Sequence, residues 1–178
     1  MAYRGEDLDL RTPHTRGSPP VDTTGNGLRR SDYLDPGRPI LVDEIVLAVC
    51  NYAHEVATAH RSAEVRLDHL VYALTRIEGS IPVLEDRGAR VSALRNEASS
   101  LAAAVPQSVG ILSPRKSDDL ESVLRYASDL AQRRSHAAAT VEDLLIALVD
   151  LTPDHPAIVV LRRHMQRRLG DTGYVPVR

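Results

Sequence analysis

The sequence predicts an all-α protein in which two similar helical repeats form one bundle. Residues 41–74 align without a gap to residues 115–148, at an offset of 74. Such a repeat fixes the architecture, because each copy folds as a similar unit. Within each copy, apolar residues recur at intervals of three and four, as on one face of an α-helix. Aromatic residues make up only 3% of the chain, without Trp or Phe, so we expect a core of aliphatic side chains and alanine.

The identical positions of the repeat are mostly small or apolar, which indicates that the two copies share a packing pattern. They are Val49/Val123, Tyr52/Tyr126, Ala53/Ala127, Ala57/Ala131, Ala63/Ala137, Leu70/Leu144, Ala73/Ala147 and Leu74/Leu148. Alanines on the inner face allow helices to approach closely. We therefore expect both repeats to bury the same helix faces.

Repeat one covers residues 41–104 and begins with a helix marked by Asp43 and Glu44. The Asp43 side chain can cap free backbone N–H groups, and Glu44 suits the positive end of the helix dipole. A second helix is predicted at about 67–77, with its leucines and valines facing inward.

The second half of repeat one is predicted to hold two further helices. The third runs over about 81–87 and ends at Gly88, which suits the left-handed position after a helix. The fourth runs over about 91–104. Residues 105–116 contain Pro and Gly and are predicted to link the repeats.

Repeat two covers residues 117–168 and opens with Ser117 as a cap, followed by two acidic residues. Thr140 is predicted to cap its second helix. The helices are predicted at about 118–134, 141–151 and 157–168. Two complete four-helix repeats would give eight helices, whereas the pattern predicts four in repeat one and three to four in repeat two.

The segments outside the repeats are predicted to lack regular structure. Residues 1–38 contain four prolines, five glycines and many charges without periodicity, so we expect a disordered tail. The helical domain is expected over 39–169 and a C-terminal tail over 170–178. A few apolar residues of the first tail either remain solvated or dock on another surface. These are Tyr3, Leu8, Leu10, Tyr33 and Leu34.

Composition also bears on location. No apolar run approaches the roughly 20 residues that span a bilayer. The first ten residues are acidic and lack the hydrophobic stretch of a secretory signal. Cys50 is the single cysteine, which excludes an internal disulfide framework, and we expect its thiol to be buried on a helix face. We therefore expect a cytoplasmic protein without a membrane span.

Several function classes are disfavoured by the sequence. The net charge of -2 and the pI of about 6.4 provide no basic field for nucleic acid, so no nucleic-acid partner is expected. The chain contains no phosphate-binding Gly-x-x-x-x-Gly-Lys-Ser/Thr loop and thus no ATPase module of that type. His54 and Glu55 lack the second histidine, at position 58, that a zinc-protease helix requires. We predict that the protein is not an enzyme and needs neither cofactor nor metal.

Two motifs resemble a known family. Residues 68–74 (Asp-His-Leu-Val-Tyr-Ala-Leu) and 140–148 (Thr-Val-Glu-Asp-Leu-Leu-Ile-Ala-Leu) are similar to a Thr-Glu-His-Leu-Leu-x-x-Leu segment. That segment occurs once per repeat in the N-terminal domain, the Clp R double repeat, of Clp-type AAA+ unfoldases. The resemblance covers about residues 41–168. It implies two four-helix repeats related by pseudo-twofold symmetry in one Clp N-domain-like bundle.

The resemblance also implies a function. Clp N-domains are non-catalytic modules that dock substrate proteins or adaptors for an ATP-driven ring. The implied partners are protein or peptide clients and a Clp-type ATPase or protease complex. The chain is either free-standing and adaptor-like or a piece of a longer multidomain protein. A structural, assembly or envelope-associated scaffold role for the same helical domain is the alternative.

In some family members, an acid that opens the second helix of each repeat contacts the guanidinium of phosphoarginine. A hydroxyl that caps the first helix holds the phosphate. The resemblance places the acids at Asp68 and Glu142 and the caps at Asp43 and Ser117. A carboxylate at Asp43 would repel a phosphate, so we expect repeat two, with Ser117, Glu142 and Thr140, to retain such chemistry. The alternative is that Asp43, Ser117, Asp68 and Glu142 are ordinary caps and first-turn acids.

Overall fold

The computed structural model describes residues 39–108 and 113–165. Within these ranges the chain forms seven α-helices and two very short strands, so the predicted all-α fold is confirmed. The elements are α1 (Glu44–Ala59), β1 (Glu64–Val65), α2 (Leu67–Leu74), α3 (Ile81–Asp86), α4 (Val91–Ala103), β2 (Arg115–Lys116), α5 (Asp118–Arg133), α6 (Val141–Leu151) and α7 (Pro156–His164). The tails predicted over 1–38 and 170–178, and the predicted end of the last helix and of the domain over 166–169, lie outside the described residues.

The second helix is shorter than predicted. It ends at Leu74, and a 3-10 turn follows at Glu78–Ser80. The Thr75 hydroxyl donates to the carbonyl of Tyr72 (2.7 Å), and the buried Ser80 hydroxyl donates to the carbonyl of Leu74 (2.6 Å). Side chains therefore satisfy carbonyls that a longer helix would have satisfied with its own N–H groups.

The core is aliphatic and follows the repeat. Helix α1 packs on α2, and α5 packs on α6 in the same way, while α4 and α7 pack on each other and on α2. Four equivalent alanines lie fully buried between these helices: Ala53, Ala57, Ala127 and Ala131. Because an alanine side chain ends at Cβ, the helices approach closely at these positions.

The two repeats pair through the short segments that precede their helices. The N–H of Ser117 donates to the carbonyl of Val65 (3.1 Å), where β2 runs parallel to β1. The equivalent residues repeat this contact, since the N–H of Asp43 donates to the carbonyl of Ala139 (2.9 Å). The segment before the first helix of each repeat thus pairs with the segment before the second helix of the other repeat.

This pairing fixes the position of four helix starts. The beginning of α5 lies beside the beginning of α2, and the beginning of α1 lies beside the beginning of α6. The sequence did not predict these pairings, because segments of one or two residues are too short to show an alternating pattern.

Three helices end with the same hydrogen-bonded turn. Gly88 follows α3 with a φ of 79°, as predicted for a residue after a helix. Arg61 after α1 (φ 54°) and Ser135 after α5 (φ 61°) adopt the same left-handed conformation at equivalent positions of the two repeats. In each case the residue that follows donates its N–H to a carbonyl in the last turn of the helix.

Candidate functional site

The predicted caps act as helix caps in the structure. Oδ1 of Asp43 accepts a hydrogen bond from the N–H of Val46 (2.7 Å) at the start of α1. Oγ of Ser117 accepts one from the N–H of Leu120 (3.3 Å) at the start of α5. Both side chains therefore satisfy donors that are unpaired at a helix N-terminus.

Thr140 caps α6 together with Asp143. The Thr140 hydroxyl accepts a hydrogen bond from the N–H of Asp143 (3.4 Å), and the Asp143 carboxylate accepts one from the N–H of Thr140 (3.1 Å). Arg134 and His136 also lie 3.2 Å from this carboxylate, which is fully buried. Burial by itself raises the pKa of Asp143, but the hydrogen bonds from Thr140 and His136 and the charge of Arg134 outweigh it and lower the pKa.

Both predicted acids already face basic side chains of the same chain. The Asp68 carboxylate lies 3.7 Å from Nε of Arg66 and 3.9 Å from Nε2 of His155. Glu142 forms an ion pair with Arg87 at the end of α3, across the repeat boundary. A ligand guanidinium at either acid would have to compete with these partners.

Each cap lies near the acid of the other repeat, and not near the acid of its own repeat. Asp143 contacts Arg134 at the C-terminal end of α5, whereas Ser117 caps its N-terminal end. A helix of 16 residues is about 24 Å long, so Ser117 lies far from Glu142.

Ser117 instead lines a polar pocket of about 260 Å³, next to Asp68, together with Arg66, His155 and three acids, Glu64, Asp118 and Asp119. Asp43 lies beside Thr140. The five predicted residues therefore form two clusters, each drawn from both repeats. Ligand binding at either cluster remains a prediction.

A larger groove of about 540 Å³ lies between the two repeats, bordered by α1 and α5. Its apolar lining combines residues of both helices and of β1, including Val42, Leu47, Cys50, Val65, Leu120 and Leu124. Leu47 is 50% exposed. The groove is therefore an accessible apolar surface between the repeats.

The polar lining of this groove is basic. Arg115 and Lys116 line it together with the polar side chains of His54 and Asn51, and its described lining residues include no aspartate or glutamate. Arg115 also pairs with Glu64 (2.7 Å), so its charge is partly compensated. The groove thus combines an apolar floor with a cationic rim.

The sequence matches the Clp repeat (R) N-terminal domain family over residues 44–162. The chain belongs to this family. It is accordingly a Clp-type N-terminal interaction domain, and the resemblance found in its two repeated motifs is confirmed.

Solved structures agree with this assignment at the level of the fold. The N-terminal domain of Hsp104 from Candida albicans is similar, with a TM-score of 0.60 at 13% identity, over 71% of this chain and 83% of that one. A chain from preliminary structural investigations of a malarial protein secretion system has a TM-score of 0.55 at 15% identity, over 72% of this chain and 97% of that one. No curated protein matches the sequence significantly.

Sequence reasoning missed the residues of the groove in this Clp repeat domain. One signal was present, because Leu47, Cys50 and His54 recur at the spacing of a second stripe on α1, next to the inward-facing one. Arg115 and Lys116 gave no signal, since they precede α5 in the predicted linker. Only the fold brings them to α1.

Cys50 lines the groove in an environment that disfavours the thiolate. Burial raises the pKa of its thiol to about 11, although the charge of Lys116 acts in the opposite direction. The reactive form of cysteine is the thiolate, which is scarce at neutral pH under these conditions.

Within residues 39–108 and 113–165, no three His, Cys, Asp or Glu side chains are placed to share a metal ion. The helices of these ranges are also all too short or too polar to cross a membrane.

Proposed function

We propose that this Clp repeat domain is a non-catalytic interaction module that binds peptide segments in the groove between α1 and α5. It would act as an adaptor-like accessory protein for protein clients of a cytoplasmic Clp-type ATPase or protease complex. The observation that carries the proposal is the groove itself, which is apolar at its floor and cationic at its rim.

The chemistry of the groove favours peptides that combine apolar and acidic residues. An apolar side chain buried there gains about 1.5–3 kcal/mol, so two such anchors supply about 3–6 kcal/mol, which only reaches the lower end of the roughly 4–15 kcal/mol lost on association. The rim charges of Arg115 and Lys116 add selectivity for acidic residues more than affinity. The expected binding is therefore weak and reversible, with Kd values roughly in the micromolar to millimolar range.

The groove is held in shape by elements that belong to the core. Leu120 and Leu124 are almost fully buried in α5, and Val65 is fixed by the pairing of β1 with β2. A surface formed in advance loses little entropy when a peptide binds. This rigidity supports docking without a large rearrangement of the domain.

Fluorescence polarisation with a labelled acidic peptide, Asp-Leu-Val-Asp-Leu, tests the proposal. We expect Leu47→Asp to weaken binding by about tenfold, since it places a buried charge against the peptide. Val159→Asp is the matched control, because Val159 is similarly exposed on α7, away from the groove (42% against 50%). Equal affinities for the wild type and Leu47→Asp would reject the groove as the binding site.

Charge reversal adds a second test. Lys116→Glu should weaken binding of the acidic peptide and strengthen binding of its counterpart Lys-Leu-Val-Lys-Leu. Loss of binding to both peptides would indicate a damaged fold, which circular dichroism would detect. Unchanged selectivity would show that the rim does not select the peptide.

Phosphoarginine binding at the helix starts is a second candidate function, because the pocket beside Ser117 offers carboxylates to a guanidinium. The same carboxylates, Glu64, Asp118 and Asp119, oppose the phosphate. The ion pair between Glu142 and Arg87 opposes it in the other cluster. Titration with a phosphoarginine peptide, comparing the wild type with Glu142→Ala and Asp68→Ala, separates the two clusters. Equal affinities in all three proteins would reject both.

A further inference from the structure

The groove lies where the N-terminal segment enters the domain. The described chain begins at Pro39, and the next residue, Ile40, lines the groove. The N–H of Leu41 then donates to the Ser128 hydroxyl of α5 (3.1 Å), which anchors the entry point on one wall. Residues that precede Pro39 therefore start at the edge of the groove.

The residues just before this entry point have the composition that the groove favours. Residues 32–35 read Asp-Tyr-Leu-Asp, an aromatic and an aliphatic side chain between two acids. Tyrosine is among the residues most often responsible for binding energy at interfaces. The apolar pair matches the floor, and Asp32 and Asp35 provide acids for Lys116 and Arg115 at the rim. Because Arg29, Arg30 and Arg38 flank these acids, the apolar pair is expected to supply most of the affinity.

The connection between residues 32–35 and the entry point is suited to reversal. Four residues separate Asp35 from Ile40, and a turn centred on Pro36 and Gly37 would bring the Cα atoms of Asp35 and Arg38 within about 7 Å of each other. Pro36 followed by Gly37 is the preferred pair for a type II turn, which would direct residues 32–35 back over Ile40.

We infer that residues 32–35 of this chain occupy the groove between α1 and α5 as a tethered competitor of external peptides. This inference rests on the proposed function, because it assigns a regulator to the same site. A short tether gives a local concentration in the millimolar range, which is enough to occupy a site of weak affinity. Clients would then bind only by displacing the segment.

Paramagnetic relaxation in the full chain tests the occupancy directly. Cys50 is the single cysteine, so Cys50→Ala provides a background in which Ser31→Cys carries one spin label. We expect the label to broaden the amide signals of Leu124 and Lys116 at the groove. Adding Tyr33→Ser and Leu34→Ser should weaken this broadening to the level of a freely moving tail, which keeps the label about 15–18 Å from Ile40 on average. Equal broadening with and without the two substitutions would overturn the inference.

Peptide binding provides the second readout and a matched control. Full-length protein with Tyr33→Ser and Leu34→Ser should bind the Asp-Leu-Val-Asp-Leu probe about fivefold or more tightly than the wild type. Leu8→Ser with Leu10→Ser removes a similar apolar pair from a more distant part of the same tail and should leave the affinity unchanged.

The outcomes separate this inference from the proposed function. Equal binding of the probe to the wild type and to both double variants leaves the groove as a docking site and rejects the tethered competitor. Tighter binding only in the Leu8 and Leu10 variant would also overturn the assignment to residues 32–35. Failure of every variant to bind the probe, with the relaxation effect at Leu124 intact, would reject the client site and retain the intramolecular contact.

Discussion

His69 and Asp143 occupy equivalent positions in the two repeats and accept the same backbone hydrogen bond. Nδ1 of His69 lies 3.1 Å from the N–H of Arg66, and Oδ2 of Asp143 lies 3.1 Å from the N–H of Thr140. Both side chains are fully buried. The second helix of each repeat is therefore capped from inside, by a neutral imidazole in one copy and a carboxylate in the other.

This difference makes repeat one sensitive to mild acid. Burial lowers the pKa of His69 to about 4, and the charges of His60 and Arg66 act in the same direction. Its Nε2 is buried without a hydrogen-bond partner among the described residues. Since the unfolded state binds the proton first, stability should fall by up to about 3 kcal/mol as the pH drops from 6.5 to 4.

Urea unfolding at several pH values between 7.5 and 4 measures this effect. In His69→Asn the pH dependence in that window should largely disappear, whatever the absolute stability of the variant. His54→Asn is the control, because His54 is exposed and should leave the slope unchanged. A wild-type free energy of unfolding that is constant between pH 6.5 and 5 would contradict the prediction.

Asp143 should stabilise repeat two over a different range of pH. Its pKa is lowered in the folded state, so its contribution is complete above the ordinary carboxyl pKa of about 3.9 and is lost as the pH falls further. Asp143→Asn should cost about 2 kcal/mol at neutral pH, because Arg134 and His136 lose their partner. Asp154→Asn, at an exposed site, should change stability by less than about 0.5 kcal/mol.

Two substitutions at the positive-φ positions after the helices should change the stability of the domain in opposite directions. Ser135→Gly should stabilise the domain by roughly 1 kcal/mol, because glycine adopts a φ of 61° without the Cβ penalty. Gly88→Ala should destabilise it by about the same amount. Ser99→Gly, on the exposed face of α4, is the control and should be mildly destabilising. Thermal melting measures all three, and a lower Tm for Ser135→Gly would contradict the argument.

The buried alanines should not tolerate larger side chains. Ala127→Leu should destabilise the domain by about 1–3 kcal/mol, since α5 lies directly against its neighbours at this fully buried position. Ala59→Leu is the matched control, at an exposed position of α1. Chemical denaturation compares the two, and equal stabilities would show that the alanine contacts are looser than they appear.

Most of the helical fold was predictable because its signals are local. The caps at Asp43, Ser117 and Thr140 and the turn at Gly88 depend on residues within one helical turn, and all four appear as predicted. The predicted end of α2 was wrong, because the Ser80 hydroxyl that donates to the Leu74 carbonyl lies six residues further along the chain. No periodic pattern reveals such a contact.

The sequence by itself determined the repeat, the helices and the family of this domain, since these depend on spacing along one chain segment. Only the tertiary structure decided that Ser117 lies beside the start of α2, about one helix length away from Glu142. It also decided that Leu47 of α1 and Lys116 before α5 share one groove. These relationships depend on how the two repeats pair through the short segments that precede their helices, which involves residues more than 50 positions apart in the sequence.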